Sequence, residues 1–223
     1  MKLTILGSCR QDSLYHMFPV TSIRDSLTYP HYTKEVIQAL EFCKGISAIP
    51  LELTQSLFRS GILSKRPVVS AQFYDDFFTT DVFIVEIASR ITYTYKGFYA
   101  HHIVTEPAFE FPDPGAVMIG ELTDEEIEAD LLRIKELIYP KKYMVVSHIY
   151  TRQSGKRYDL VKLLERLCEK HSIPFFDPIQ KLGPSFGPSF GPALFKDEPL
   201  LSHYTEYGHS QIAPFYKKFI ESL

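Results

Sequence analysis

Lys2-Leu-Thr-Ile-Leu-Gly-Ser-Cys-Arg10 is the segment on which the fold turns. A short apolar run that stops at a glycine reads as a buried strand entering a tight turn. Working outward, similar runs recur at 82–88 (VFIVEIA), 143–147 (YMVVS) and 173–176 (IPFF), with PVVS at 67–70 as one more strand. They are too short for helices and rich in Val, Ile and Phe. Between them lie helical patterns. Residues 33–44 begin at Thr33 and place Val36, Ile37, Leu40 and Cys43 on one face. Residues 123–138 open with a capping-box pattern, Thr123-Asp-Glu-Glu126, and stop before Pro140. Residues 157–170 keep Leu160, Leu163, Leu164 and Leu167 in register, and 208–223 form a closing helix in which Pro214 is tolerable only near the first turns. Strand and helix thus alternate, the order of an α/β domain with a mainly parallel sheet. In such sheets sites form beyond the carboxyl ends of the strands. Ser8, Cys9 and Arg10, then Ser89 and Arg90, then His148 stand there.

Composition narrows the function. The 223 residues are 45% hydrophobic and 14% aromatic, which excludes a disordered chain. With 24 basic against 27 acidic residues there is no electrostatic footprint for nucleic acid or an anionic membrane. No apolar run approaches the roughly 20 residues of a membrane span, and residues 1–10 lack the form of a signal peptide. Cys9, Cys43 and Cys168 are odd in number and contain no Cys-x-x-Cys pair, which argues against disulfides and structural zinc and for a cytoplasmic setting. No domain boundary stands out, so 1–223 reads as one domain. Two irregular insertions are expected within it, near 93–118 and 183–199. The second contains the tandem GPSFGPSF, whose Gly-Pro pairs read as an irregular loop, either a surface insertion or a lid carrying Phe186 and Phe190.

A serine at a strand-to-helix turn presents a hydroxyl beside backbone N–H groups able to bind an oxyanion. It needs a base, and His203 in His203-Tyr-Thr-Glu-Tyr-Gly208-His209 supplies one if the first and last elements meet. Taken together, the LGSC turn, the element order and HYTEYGHSQIA resemble the SGNH (GDSL-type) hydrolase superfamily, and more closely its GSC-motif (GSCFA-like) branch. The resemblance covers the whole chain in topology and roughly the first ten and last twenty residues in motif. His203 and Gly208 keep the superfamily's spacing. With the strand–helix alternation, it leads us to expect a three-layer α/β/α sandwich with a flavodoxin-like sheet of about five strands.

The resemblance makes Ser8 the nucleophile, its own N–H part of the oxyanion hole, and His203 the base and then the acid; His209 falls at a structural position. The chain also departs from the pattern. Leu200 stands where the triad Asp belongs, leaving Asp197, Glu198 or Glu206 as orienting acids. The glycine and Gly-x-Asn-Asp oxyanion blocks are missing. Ser89 occupies the approximate place of that Asn, and His148 is either a second donor or a core histidine. Cys9 competes with Ser8, since a thiolate at a helix N-terminus beside Arg10 would have a lowered pKa; Ser8 is preferred. Arg10 either binds a substrate carboxylate or phosphate or forms a surface salt bridge. Glu86, inside a strand, is paired in the core or points toward the site. His101-His102 has no partner at ligand spacing, so no metal is expected.

The reading is an esterase or O-acyltransferase for small acyl groups, acetyl above all, on a small-molecule or glycan ester. It needs no cofactor beyond coenzyme A thioester as a conceivable acyl donor. The alternative is a non-catalytic glycan- or ligand-binding module with an aromatic cleft of Tyr93, Tyr95, Phe98 and Tyr99.

Overall fold

Alternate residues of the central strands face two separate apolar cores in a computed structural model that describes residues 1–23, 29–68, 72–186, 193–196 and 203–223. Strands β1 (Leu3–Leu6), β2 (Val82–Ile87), β6 (Lys142–Ser147) and β7 (Phe175–Phe176) form one parallel sheet in that order. Leu3, Ile5, Val82, Ile84, Met144 and Val146 point to one side, while Leu6, Phe83, Val85, Ile87 and Val145 point to the other. Strands buried on both faces must be apolar throughout, which is why they read as continuous runs.

Eight α-helices are described. They are α1 (Thr33–Cys43), α2 (Leu51–Leu57), α3 (Arg59–Ser64), α4 (Gln72–Thr79), α5 (Asp124–Ile138), α6 (Lys156–Lys170), α7 (Pro178–Phe186) and α8 (Glu206–Glu221). Helices α1, α5 and α6 pack on one face of the sheet. Helices α7 and α8, with a 3-10 helix at Cys9–His16, cover the other. The three-layer sandwich is therefore as expected. Its fifth strand is rudimentary: Val20 makes a single parallel bridge to Leu3, held by the bonds Leu3 N–H to Pro19 O and Thr21 N–H to Leu3 O. Counting that bridge, the order in space is 2-1-3-4-5, with its switch point beside β1.

Several local expectations change. The Thr123 capping box forms as predicted. Pro214 lies well inside α8 rather than in its first turns. An interior proline costs about 3 kcal/mol, which the burial of Ile212, Tyr216 and Ile220 on that helix offsets. Pro67 and Val68 form no strand, and Val69 and Ser70 lie outside the described residues.

Residues 93–118 are not simply irregular. Strands β3 (Ile91–Tyr95), β4 (Phe98–Tyr99) and β5 (Met118–Glu121) form an antiparallel sheet with short 3-10 turns between β4 and β5. The turn at Lys96-Gly97 takes positive φ at both residues, which closes the two-residue hairpin. The first Gly-Pro-Ser-Phe copy is helical, because α7 runs through Gly183 and Pro184 and ends two residues later. The side chain of Phe186 and all of Phe190 lie outside the described residues, as do Asp197 and Glu198. Strands β8 (Phe195–Lys196) and β9 (His203–Tyr204) pair as a short antiparallel ribbon. Among the described residues no helix is long and apolar enough to cross a membrane.

Candidate functional site

The carboxyl ends of β1, β2 and β6 open onto a cavity of about 680 Å³. Ser8, Cys9 and Arg10 line it from the turn after β1, Ser89 and Arg90 from the end of β2, and His148 from the end of β6. His203 lines the same cavity from β9. The last helix reaches this place because Gly208 packs against backbone. A Cβ there would lie 2.1 Å from the Leu194 carbonyl oxygen, and Thr205 caps the helix by accepting from Gly208 N–H at 3.0 Å. The His203-to-Gly208 spacing thus reflects a close approach that only glycine permits.

The turn is held by a residue the sequence left undecided. Glu86, 1% exposed on β2, accepts Ser8 N–H at 2.8 Å and Ser8 Oγ–H at 2.6 Å on one carboxylate oxygen. Arg10 Nη1 donates to Ser8 Oγ at 2.6 Å and lies 3.4 Å from the other Glu86 oxygen. Two expectations are corrected here. The N–H of Ser8 serves Glu86 rather than an oxyanion hole. Arg10, itself buried, makes an internal pair and not a surface salt bridge. Gly7 is needed where the two strands meet, since a Cβ would lie 2.9 Å from Glu86 Cβ. Cys9, by contrast, is half-buried at the start of the 3-10 helix.

Other predicted residues have specific tasks. Ser89 Oγ accepts from Ile91 N–H at 2.9 Å, capping the entry to β3. Arg90 donates to the Leu122 carbonyl at 3.0 Å and pairs with Asp124. His148 Nδ1 lies 2.7 Å from the Ile149 carbonyl, which can only accept, so Nδ1 carries the proton. The Nε2 of the neutral ring is then an acceptor, which suits a base; of the two readings of His148, a second oxyanion donor or a core histidine, it speaks against the donor. Glu206 is exposed in the first turn of α8, and His209 packs edge-on to the Tyr204 ring. The aromatic cleft does not assemble. Tyr93 lines the cavity, but Tyr95 is buried against Phe111 and the Tyr99 ring packs on Tyr32.

The His101-His102 pair does acquire a partner. His31, just before α1, brings its ring centroid within 4.9 Å of His101 and 4.2 Å of His102, and all three line the cavity. One ligand nitrogen from each lies within 4.8 Å of the others. Sequence spacing gave no sign of this, because His31 is some 70 positions away. On the same wall Arg157 is half-buried, and among the described residues no carboxylate pairs with it. Burial and then Arg10 lower its pKa.

Burial is the first cause holding His148 and His101 well below the ordinary histidine value of 6.5. Arg10 and Arg157 add to it for His148; His31, His102 and Arg59 add to it for His101. The unfolded chain therefore takes up protons before the folded one as pH falls through 6.5. Stability is expected to be level above about pH 7 and to decline below it, by up to about 1.4 kcal/mol per pH unit for each ring. Urea midpoints between about pH 8 and pH 5 would measure this, and an unchanged midpoint at the acid end would count against neutral buried rings.

Comparison with known proteins adds three findings. The TviD N-terminal domain family matches residues 1–114. The Vi polysaccharide biosynthesis protein TviD of Salmonella typhi is 23% identical over 276 residues, an alignment covering 99% of this chain and 32% of that protein. The chain thus spans about a third of that relative's length. The crystal structure of LAE5, an alpha/beta hydrolase enzyme from the metagenome of Lake Arreo, Spain, aligns over 99% of this chain and 94% of its own, with 14% identity and a TM-score of 0.46.

Proposed function

The chain belongs to the TviD N-terminal domain family, and from that premise we propose that it is a polysaccharide-modifying enzyme. Its reaction is SGNH-like acyl transfer: hydrolysis or transfer of small O-acyl groups, acetyl above all, through an acyl-enzyme. The observation that carries this reading is the convergence of the Gly7-Ser8-Cys9-Arg10 turn and His203 on one cavity from opposite ends of the chain.

Ser8 attacks the acyl carbonyl. In this geometry its proton first meets Glu86 Oε2, a carboxylate that stands beside the serine and not beside the histidine. Arg10 Nη1, 2.6 Å from Ser8 Oγ, stabilises negative charge on that oxygen. His203, entering as the imidazolium, gives its proton to the leaving oxygen and regains one from the water or sugar hydroxyl that attacks the acyl-enzyme. Glu86 meanwhile returns the serine's proton to Ser8 Oγ as that oxygen departs. Arg157, with no carboxylate partner among the described residues, would meet an anionic group on the glycan or on a coenzyme A thioester donor. Three cysteines outside any disulfide, two of them buried with thiols pushed up to about 12, fit a reducing, cytoplasmic setting.

Cys9 as the attacking atom is a second reading favoured by exposure: Ser8 is 4% exposed and its hydroxyl is bonded on both sides, whereas Cys9 is half-buried in the cavity wall. The test is turnover of a chromogenic acetyl ester, with intact-mass detection of an acetylated enzyme and mapping of the modified residue. Acetyl on Ser8, with turnover lost on His203→Ala by roughly 100-fold or more, supports the first reading, and acetyl on Cys9 the second. Glycan binding with no turnover of any ester would leave a binding module instead.

A further inference from the structure

We propose that His31, His101 and His102 form a binding site for a divalent transition-metal ion of the zinc type, set in the wall of the cavity. The proposal does not depend on the acyl-transfer reading. Three separate constraints bring the rings together. The His31 carbonyl accepts the N–H groups of Ala88 and Ser89 at the end of β2, and its own N–H is held by Glu35. His101 N–H is held by the Leu57 carbonyl. His102 follows at once, and its ring centroid is 4.3 Å from that of His101.

The spacing suits a tetrahedral centre. Zinc–nitrogen bonds of about 2.1 Å place ligand nitrogens roughly 3.4 Å apart. Here they lie within 4.8 Å, so each ring needs to move by less than about 1 Å. The hydrogen bonding suits it too. His102 Nε2 is 2.9 Å from Glu106, while its buried Nδ1 has no hydrogen-bond partner. A carboxylate on one ring nitrogen and a bare lone pair on the other is the arrangement of metal-bound histidines.

His101 Nε2 is likewise buried with no partner in hydrogen-bond geometry, and the Tyr29 backbone lies near the ring. Binding there would give up the long 3.3 Å bond from Ile103 N–H to His101 Nδ1. The nearby cations are largely spoken for. Arg10 pairs with Glu86, Arg59 lies over the Tyr29 ring at 4.3 Å, and Glu106 adds a negative charge. Three neutral nitrogens leave a fourth position open to the cavity, where a water or a substrate oxygen would bind.

The test is titration of the chelator-stripped chain with Zn²⁺ and with Co²⁺. Wild type is expected to bind one equivalent, with Co²⁺ giving the visible absorption of a tetrahedral site. Both His31→Gln and His102→Gln should weaken binding by about 100-fold, Glu106→Gln by about 10-fold, and His148→Gln not at all. Thermal unfolding without metal shows whether each variant is folded, and the wild-type Co²⁺ spectrum needs no variant. No stoichiometric binding by wild type, or equal affinity in the folded His31 and His102 variants, would overturn the site. Ester turnover is not the readout, so the metal result stands apart from the outcome of the acyl assay.

Discussion

Ser8→Ala is expected to reduce acetyl-ester turnover by at least about 10³-fold while leaving the chain folded. Loss of a covalent nucleophile removes the acyl-enzyme route altogether, and what survives comes from binding and electrostatics. The fold should persist because alanine keeps the Cβ and the backbone N–H that Glu86 accepts at 2.8 Å. Only the hydroxyl's bonds to Glu86 and Arg10 disappear, at a cost of about 1–3 kcal/mol. Steady-state kinetics beside a circular-dichroism melt separate the two effects. A well-folded Ser8→Ala protein with wild-type turnover would remove Ser8 from the chemistry. If Cys9→Ala were silent at the same time, the turn itself would be excluded as the source of the nucleophile.

Glu86→Ala carries the largest expected stability effect. Its carboxylate is 1% exposed and balances Arg10, which is 6% exposed. Removing it takes the Glu86 carboxylate away from a buried guanidinium and from two Ser8 donors. Breaking one side of a buried ion pair costs about 3–5 kcal/mol, a large part of the 5–15 kcal/mol that typically holds a domain together. A drop in melting temperature of roughly 6–20 °C follows for a chain of this size. Replacing both partners, Glu86→Leu with Arg10→Met, should recover part of the loss, because no isolated charge is then buried. A Glu86→Ala melt within a degree or two of wild type would show that the pair does not support the turn.

Much of this molecule was legible from local patterns. The runs at 82–88 and 143–147 became central strands because a sheet covered on both faces leaves polar side chains few places to go. The Thr123 box became a helix start because it satisfies two orphan donors within four residues. The Gly-Ser-Cys-Arg turn and His203 were legible as a pair through their resemblance to known hydrolases, and both line the cavity. The ribbon β3–β4–β5 was not, since its strands are short and half exposed and carry little periodic signal. Nor was the helical start of the Gly-Pro repeat, where packing of Ile179 and Leu182 earlier in α7 outweighs the proline.

What the sequence determined by itself is whatever short-range chemistry enforces: strand, helix, cap and turn, and hence the layers and the place where a site must lie. Tertiary structure alone decided which charges meet. Glu86 is a lone acid in an apolar run until β1 is laid parallel beside β2 and sets Ser8 and Arg10 against it. His101-His102 is an unremarked pair until the loop before α1 swings His31 over it. Hydrogen bonds and ion pairs act over a few ångströms of space and are indifferent to separation along the chain, so neither grouping is written in any spacing of the sequence.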